Sequence, residues 1–462
     1  MWDEGAFVLW IFKGIVSFYT MIITGIVDMC SGLSRRSKIK QIEQRNVEKR
    51  NVVELGEPQS VSAITDKITT TGKIIISGNA SNQTMDNWSN EITARCAKRM
   101  NEAGLGVVIL HRNSLDLKER LQYYIEPEKL IFLDDTNKRY DPVYGAANVE
   151  DCLNILTERD VLGTREMSLS SAAYTYLEAL VYMSLYCLKR TPWIHLLKVL
   201  AGYDYASFEK TVDKQMDLGK ITTVQHDRIL DYLKNGMTGR DEVRQHLNSL
   251  EYALSEILFD EKKIISKKPE SIKSAFIDGK VIVLSVDLVS KRKVGYGLMV
   301  NDLMSALHKG TNGYLVSHDL EITGCDSFKE LLGNGNSRLG ICIASSDLFS
   351  QCSSIESVFN SVTKNKECMI ILRHTAGPSA LAVQKEIGVY KKKERTEAIG
   401  EGKIRMKPTQ LFRGNSSNVT ITFQEKDEPR VPSHQIQEMV EGEAYIIEGR
   451  DAAVVHCSLS DA

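Results

Sequence analysis

Short apolar runs alternate with segments of helical spacing along most of the chain. The runs rich in valine and isoleucine are IIIS (74–77), VVILH (107–111), KLIFLDD (129–135), KVIVLSVDL (280–288), GYLVSHDLE (313–321), LGICIASSD (339–347) and CMIILRHT (368–375). Continuous apolar runs of this length are typical of strands buried on both sides. Their alternation with helices predicts an α/β fold, with an open parallel sheet that helices cover on both faces.

One long stretch, 165–271, interrupts this alternation because it holds almost no strand-like run. Ala172, Tyr176, Leu180, Met183 and Cys187 recur in it at helical spacing. We therefore predict an all-α domain inserted into the sheet domain. We interpret its Met and Tyr stripes as core positions rather than as a cofactor site.

The N-terminus carries an apolar run, FVLWIFKGIVSFYTMIITGIV (7–27), of about the length that a helix needs to cross a bilayer. Residues 34–50 follow it with seven Lys or Arg and two Glu. The positive-inside rule then predicts a single span with the bulk of the chain in the cytoplasm. A helix lying on the membrane surface is the alternative, since Lys13, Ser17 and Thr20 dilute the run.

These patterns divide the chain into segments. They are a membrane anchor (1–33), a basic juxtamembrane linker (34–70), the first part of the α/β domain (71–164), the all-α domain (165–271), the second part of the α/β domain (272–450) and a C-terminal tail (451–462). The formal net charge of -2 argues against a uniformly basic surface for nucleic acid. Nine scattered cysteines show no CxxC pair, so we interpret them as reduced thiols without a zinc site.

The segment KIIISGNASNQT (73–84) has the layout of a strand followed by a phosphate-binding loop. A working loop, GxxxxGK[ST], wraps phosphates with backbone N–H groups, neutralises them with its lysine and binds Mg²⁺ through its hydroxyl. In the best register Ser77 stands for the first glycine, Asn82 for the second, Gln83 for the lysine and Thr84 for the hydroxyl residue. The vestigial nucleotide residues are therefore Ser77, Gly78, Asn82, Gln83 and Thr84.

The missing lysine decides the chemistry that we expect. Positioned charge is usually the largest catalytic contribution in phosphoryl transfer, and Gln83 carries none. We predict a loop without hydrolysis. Residual anion binding at the start of a helix, activity supported by unusual residues, and an ordinary strand-to-helix turn with no nucleotide history are the alternatives.

A second nucleotide motif would be an apolar strand that ends in acidic residues. YLVSHDLE (314–321) has this form, with Asp319 and Glu321 at its end. Where two adjacent acids are expected, only one is present. We interpret His318 as a polar residue at a strand end rather than as a metal ligand.

Taken in order, these segments resemble the conjugative and type IV secretion coupling proteins (the TraD/TraG group, related to FtsK-type motors). YDPVYG (140–145) resembles the segment before that family's helical insertion, and SAFIDGKVIVLSVDL (274–288) resembles the return into the sheet. GNSRLGICIASSDLFSQC (335–352) is similar to the family's arginine-glycine pair and sensor strand, and CMIILRHTAGPSALAVQKEIG (368–388) is similar to its terminal strand and helix. The resemblance covers about residues 70–450.

The resemblance implies a RecA-like fold and assigns roles to residues if the chain is active. Asp319, Glu321 and Arg338 would be catalytic, with Arg338 as an arginine finger across a subunit boundary. Mg²⁺ would lie at Thr84 and Asp319. Ser346 or Asp347 occupies the place of the family's glutamine sensor, so the departures from the family pattern all point away from ATP hydrolysis.

Three hypotheses follow for function. The first is a pseudo-ATPase of the bacterial inner membrane, which recruits proteins of a conjugation or secretion apparatus and binds a DNA or protein substrate through its all-α domain. The second is an active motor that uses ATP and Mg²⁺, with Lys73 or Arg338 as the replacement cation, although Lys73 precedes its strand and so lies at the wrong end. The third is a DNA-binding structural protein, to which the near-neutral charge gives little support.

No metal or cofactor is expected except ATP and Mg²⁺ under the second hypothesis. Active relatives form hexameric rings, so a homo-oligomer is an expected arrangement, although a subunit without ATP chemistry need not form one. The basic run KKKER (391–395) is more typical of a solvated loop than of a nucleic-acid contact.

Overall fold

The structure is a computed structural model. It describes residues 13–23, 37–46, 50, 55–78, 88–112, 114–134, 138–146, 148–157, 169–259, 268–286, 293–308, 310–334, 336–401, 417–440, 442–449 and 454–460. The chain divides into two compact units, Met1–Val52 with Ile387–Pro432, and Val53–Glu386 with Ser433–Ala462. The domain boundaries inferred from the sequence stay a prediction.

A ten-stranded sheet forms the centre of the larger unit, in the order β1-β12-β11-β8-β2-β7-β6-β3-β5-β4. Its strands are β1 (Gln59–Ser60), β2 (Lys73–Ser77), β3 (Gly106–His111), β4 (Leu130–Leu133), β5 (Val281–Ser285), β6 (Gly313–His318), β7 (Leu339–Ser345), β8 (Cys368–Ile371), β11 (Glu443–Glu448) and β12 (Val454–Ser460). The seven strands from β8 to β4 are all parallel. Only β11 pairs antiparallel, with β8 and β12. All seven strands predicted from the apolar runs are confirmed.

The helices of the described chain vary from one turn to four. They are α1 (Val61–Asp66), α2 (Trp88–Glu102), α3 (Leu115–Tyr124), α4 (Val149–Thr157), α5 (Ser171–Tyr182), α6 (Ile194–Ala201), α7 (Tyr205–Asp217), α8 (Thr223–Gly236), α9 (Arg240–Ala253), α10 (Ile272–Asp278), α11 (Lys293–His308), α12 (Asp326–Asn334), α13 (Leu348–Gln351), α14 (Glu356–Thr363), α15 (Gly377–Ile387) and α16 (Ser433–Glu438). Two further helical segments, 13–23 and 37–46, precede them.

Both faces of the parallel sheet are covered. Every residue of β2, β3, β5, β6, β7 and β8 is buried, which explains why these strands read as continuous apolar runs. On one face Ile109 and Val316 share a core cluster with Met100 of α2 and Leu121 of α3. On the other face a Cβ at Gly313 would come within 2.5 Å of the Phe276 ring on α10. The predicted two-sided covering is therefore confirmed.

The regular elements described within the predicted insertion, over 169–259, are helices, which include a π-helical turn at Met183–Cys187, and isolated bridges pair Leu258 and Glu270 with Tyr140. Two buried carboxylates join this segment to the sheet domain. Asp302 of α11 accepts hydrogen bonds from Tyr140 Oη (3.1 Å) and from the Ile272 amide (2.7 Å). Asp141 accepts one from the Ile194 amide (2.9 Å). The YDPVYG segment therefore anchors both the chain that enters the helices and the chain that returns.

The smaller unit contains an antiparallel hairpin of β9 (Val389–Glu401) and β10 (Ser417–Pro429). The run 391–395 lies on β9, which corrects its interpretation as a loop. Lys393 pairs directly with Glu425 across the strands, and Lys392 lies 2.8 Å from Glu428. Cross-strand pairs of opposite charge stabilise such a ribbon, and the loop prediction missed them because the acids lie far along the chain.

Among the residues that the structure describes, no helix combines the length and the apolar character needed for a membrane span. The apolar run 7–27 falls only partly within those residues, as the helical segment 13–23. Its other residues lie outside the described parts of the chain.

Close packing within the helical segment makes one glycine sensitive to substitution. A Cβ at Gly236, the last residue of α8, would lie 2.5 Å from the backbone nitrogen of Tyr176 on α5. We expect Gly236→Ala to lower the free energy of unfolding by about 2 kcal/mol, because overpacking outweighs the gain in helix propensity. Chemical denaturation of both chains measures this difference.

Gly377→Ala is the matched control, because a Cβ there would meet only the end of the Gln437 side chain, at 4.0 Å. It should leave the stability nearly unchanged. Equal stability of the Gly236→Ala variant and the parent chain would contradict the close contact between α5 and α8.

Candidate functional site

The carboxyl ends of β2, β7 and β6 lie next to one another at one edge of the sheet. Ser77 pairs with Ser345, and His318 pairs with Ala344. Crevices outside the carboxyl ends of parallel strands are where open α/β sheets bind ligands. The structure thus brings the described start of the predicted loop, Ser77 and Gly78, to the same edge as Asp319.

Residues after β8 pack closely against the end of β2. The Ser77 hydroxyl lies 3.2 Å from His374 Nε2, and both residues are buried. Gly78 has φ +109° and donates its N–H to the Ser345 carbonyl at 2.9 Å. A Cβ at Gly78 would lie 2.5 Å from the Leu372 carbonyl oxygen, so only glycine fits here. Residues 79–87, with Asn82, Gln83 and Thr84, lie outside the described residues.

One oxygen of the Asp319 carboxylate is already occupied by groups of its own chain, while no hydrogen bond to the other is found among the described residues. Its Oδ1 accepts hydrogen bonds from the Ser346 amide (2.8 Å), the Ser346 hydroxyl (2.9 Å) and Gln351 Nε2 (3.0 Å). Asp319 itself has φ +53°, which Asp tolerates better than most residues, and its amide donates to the Ala344 carbonyl. Three donors on one oxygen leave it no lone pair for a metal ion.

A glutamine does reach this edge, although sequence analysis missed it. Asp347 caps α13 by accepting from the Ser350 amide at 3.0 Å, and it also accepts from the Ser379 hydroxyl at 2.7 Å. Gln351 lies one helical turn after Asp347, and its side-chain amide donates a hydrogen bond to Asp319. The sequence signals the cap, because Asp is a preferred N-cap residue, but not the contact of Gln351 with Asp319, which depends on the order of the strands.

Glu321 does not join this cluster. It is exposed, and the Thr323 hydroxyl lies 3.4 Å from its carboxylate. Among the described residues, no hydrogen bond links Glu321 to Asp319. The two acids predicted at the strand end therefore occupy different surroundings.

The two candidate replacement cations lie at the opposite edge of the sheet. Lys73 opens β2 and is buried, and its Nζ donates to the carbonyls of Val362 (3.0 Å) and Lys364 (2.9 Å), at the end of α14. Burial, with Lys366 nearby, lowers the pKa of Lys73 to about 8. Arg338 precedes β7 and is exposed. The prediction that Lys73 lies at the wrong end of its strand is confirmed.

Two other arginines, which sequence analysis missed, follow strands at the carboxyl edge. Arg112 comes directly after β3, and its amide donates to the His318 carbonyl at 3.1 Å. Arg373 follows β8, and its Nε donates to the Gln437 carbonyl at 3.0 Å. Of these two arginines, Arg112 is the one whose backbone bonds to the end of β6, the strand that precedes Asp319.

A row of buried polar residues crosses three strand ends beside Asp319. Ser285 pairs with His111, and His111 pairs with His318. His111 Nδ1 accepts the Ser114 amide at 3.1 Å, and His318 Nε2 lies 2.6 Å from the Asn90 amide oxygen. Ser285 Oγ, His111 Nε2 and His318 Nδ1 have no hydrogen-bond partner among the residues that the structure describes.

Burial keeps these imidazoles neutral. It lowers the pKa of His111 to about 3, with a further contribution from His318, and it also lowers the pKa of His318. Within the described chain, no group of three or more metal-ligating side chains is present. The interpretation of His318 as a polar strand-end residue agrees with its bond to Asn90.

Solved structures similar to this chain come from conjugation and secretion machinery. The trigonal form of the bacterial conjugative coupling protein TrwBdeltaN70, in complex with sulphate, is 12% identical over 90% of this chain and 92% of that chain, with a TM-score of 0.50. The chain has the fold of a conjugative coupling protein. At 12% identity, the fold is what the likeness shows.

Two further similar structures have lower TM-scores. The plasmid coupling protein TrwB in complex with ADP and Mg²⁺ is 12% identical over 90% of this chain and 92% of that chain, with a TM-score of 0.47. VirB4 of Thermoanaerobacter pseudethanolicus is 12% identical over 68% of this chain and 80% of that chain, with a TM-score of 0.36. No protein-family model matches the chain, and no curated protein matches it.

The buried histidines predict an acid-sensitive fold. Burial lowers the pKa of His374 to about 4 from an ordinary value of 6.5. Between these values the unfolded chain binds more protons, so the free energy of unfolding falls as the pH falls below about 6.5, by up to ~1.4 kcal/mol per pH unit and histidine. Thermal unfolding midpoints should therefore drop with acidification, and His374→Gln should reduce the slope.

His226 supplies a control of opposite sign. Its ring lies 2.8 Å from Asp213 and 2.9 Å from Asp227, and these carboxylates raise its pKa. Its contribution is present below the ordinary pKa and is lost as the pH rises through the folded pKa. His226→Gln should therefore lower the stability by a constant amount below about pH 6.5 and change the slope of the profile only above that pH. Equal acid slopes for the parent and His374→Gln would rule out a neutral, buried His374.

Proposed function

We propose that this chain is a membrane-anchored, catalytically inactive relative of the coupling-protein ATPases, and that it recruits partners for conjugative DNA transfer or type IV secretion. The observation that carries this proposal is the occupied carboxylate of Asp319. An active nucleotide site needs this acid for Mg²⁺ or for water. Here one of its oxygens serves Ser346 and Gln351 instead.

The energetic consequence can be estimated. Hydrogen bonds to a charged acceptor contribute roughly 1.5–3 kcal/mol each, so freeing Oδ1 of Asp319 from its donors costs several kcal/mol. Mg²⁺ also prefers near-ideal octahedral geometry and gives up its water reluctantly. An ion bound through Oδ1 would have to compensate both costs, whereas an ion bound through Oδ2 would avoid the first, so the expected weak binding rests chiefly on the missing loop lysine at Gln83.

The loop sequence adds an independent argument. Gln83 stands where a phosphate loop carries lysine, and no charge on the 77–84 segment replaces it. The described alternatives, Lys73 and Arg338, lie at the other edge of the sheet, and Lys73 is held by helix carbonyls. Triphosphate chemistry requires a cation and a free acid, and this edge of the sheet meets both requirements poorly.

The helical segment and the apolar N-terminal run are consistent with a recruitment role. The helical segment 169–259 is the expected contact for a partner, a relaxosome component or a DNA or protein substrate. The apolar run 7–27 and the basic residues after it are the expected anchor to the inner membrane. Both assignments rest on the sequence and on the coupling-protein fold.

The direct experiment is calorimetry of the purified full chain with ATP and Mg²⁺. We expect no binding in the micromolar range and no phosphate release above background, because the loop lacks its cation and Asp319 is occupied. Micromolar affinity together with clear turnover would contradict the proposal.

Restoring the motif tests the same site from the other direction. Asn82→Gly with Gln83→Lys should raise the affinity for ATP at least about tenfold, since it supplies a charge-assisted contact to phosphate. Adding Gln351→Leu removes one donor from Asp319 and should make the gain depend on Mg²⁺. Gln424→Lys, the same charge change on exposed β10, is the matched control and should leave ATP binding unchanged. No gain in the loop variant would mean that this edge never held a nucleotide.

An active motor is the second candidate, and Arg112 is the observation that favours it. Its position beside the Asp319 strand would let its guanidinium replace the missing lysine within one chain. Phosphate release stimulated by single-stranded DNA would support a motor. Loss of that activity in Arg112→Gln, with Arg338→Gln unaffected, would identify the cation; the reverse pattern would indicate an arginine finger from a neighbouring subunit.

A further inference from the structure

A cavity of about 500 Å³ lies within the helical segment, away from the sheet edge. It is bounded by the end of the π-helical turn, by α6 and by the end of α7. Trp193, Leu196, Leu200 and Tyr203 contribute its apolar walls. Its volume lies within the range of small-molecule sites, roughly 300–1,000 Å³, while its exposed lining is more polar than apolar and is open to solvent.

The backbone around the cavity is held by its own hydrogen bonds. The Arg190 amide donates to the Ser184 carbonyl and the Ser184 hydroxyl donates to the Arg190 carbonyl, both at 3.0 Å. Lys189 between them has φ +52°. On the other side, the Lys220 amide donates to the Gln215 carbonyl at 3.0 Å. The cavity is therefore preformed, and π-helical turns are frequent at functional sites.

Two residues that line the cavity hold buried polar atoms for which the described part of the chain offers no hydrogen-bond partner. They are the indole nitrogen of Trp193, a donor, and the amide oxygen of Gln215, an acceptor. An unsatisfied buried polar group costs roughly 1–3 kcal/mol, so native proteins keep few of them without a reason. Both atoms are shielded from solvent, so a ligand with one acceptor and one donor would satisfy them after the Trp193 and Gln215 side chains turn toward the cavity.

Positive charge surrounds the opening. Arg190 and Lys220 line the cavity and are exposed, and neither forms an ion pair among the residues that the structure describes. His195 also lines it and lies 3.5 Å from Glu251, which pairs with Lys198 as well. The acid nearest to the rim is thus engaged, while two cations stay available for an anion.

We propose that this cavity binds a compact amphipathic organic anion. The ligand class has an apolar ring or branched body against Trp193 and Leu196, and a carboxylate or sulfonate at Arg190 and Lys220. It also carries a hydrogen-bond donor and an acceptor for Gln215 and Trp193. The proposal does not rest on the proposed function, because nothing in this cavity takes part in nucleotide binding.

A matched pair of fluorescent probes tests it on the purified full chain. 8-Anilinonaphthalene-1-sulfonate combines apolar rings, an N–H donor and an anion, and N-phenyl-1-naphthylamine is the same molecule without the sulfonate. We expect saturable binding of the anionic probe at one site per chain. The neutral probe should bind about tenfold more weakly, since it lacks the charge-assisted contacts.

Variants locate the site. Arg190→Gln with Lys220→Gln should weaken the anionic probe about tenfold and leave the neutral probe unchanged. Val199→Glu places a negative charge on the cavity wall and should abolish binding of the anionic probe. The controls are Lys210→Gln with Lys234→Gln, and Val224→Glu, which change exposed residues outside the cavity and should have no effect.

Several results would overturn the proposal. They are equal binding of the two probes, or anionic-probe binding that the double charge variant leaves unchanged. If Val199→Glu fails to fold, as judged by its circular dichroism, the charge variant still decides, because Arg190 and Lys220 are exposed and their replacement does not disturb the core.

Discussion

Lateral pairing of parallel strands is the constraint on which this structure depends. β2 is bonded on both sides, to β7 and to β8, and its residues are buried on both faces. A strand in this position must satisfy its backbone within the sheet, so its register relative to its neighbours is strongly determined. That register places Ser77 beside Ser345 of β7, and it places Asp319 at the end of β6, the next strand. The composition of the carboxyl edge follows from it.

At this edge the chain satisfies several of its polar groups, while Ser285 Oγ, His111 Nε2 and His318 Nδ1 have no hydrogen-bond partner among the described residues. Ser346 and Gln351 donate to Asp319, Ser379 and the start of α13 donate to Asp347, and His374 lies against Ser77. A ligand site normally leaves such groups for its ligand. The chain has the fold of a conjugative coupling protein, and several polar groups at this edge are bonded to one another, which is the observation behind the proposed loss of activity.

The helical segment is anchored to the sheet domain by hydrogen bonds, and it also contains buried polar atoms without a hydrogen-bond partner among the described residues. Asp141 and Asp302 bind backbone amides on both sides of the junction with the sheet domain, and burial raises the pKa of each to about 7. The cavity between the π-helical turn and α7 leaves Trp193 and Gln215 without partners. Among the described residues, unsatisfied buried polar atoms therefore occur both at the sheet edge, on Ser285, His111 and His318, and at this cavity in the helices.

Much of the fold could be predicted from the sequence because it depends on local patterns. Continuous apolar runs identified the seven parallel strands, and helical spacing identified the segment that interrupts them. The absence of lysine at Gln83 is also a property of the sequence alone. These features are carried by neighbouring residues, so no knowledge of long-range contacts is needed.

The condition of the site was decided by the tertiary structure. Asp319 meets Gln351 across 32 positions and Ser77 meets His374 across 297, and both contacts depend on strand order rather than on local pattern. Lys73 was visible as a charge in the sequence, but only the packing of α12 and α14 shows that helix carbonyls hold it. The type of each residue is known from the sequence. Whether its polar atoms are free depends on their partners, and only the folded structure brings those partners within hydrogen-bond distance.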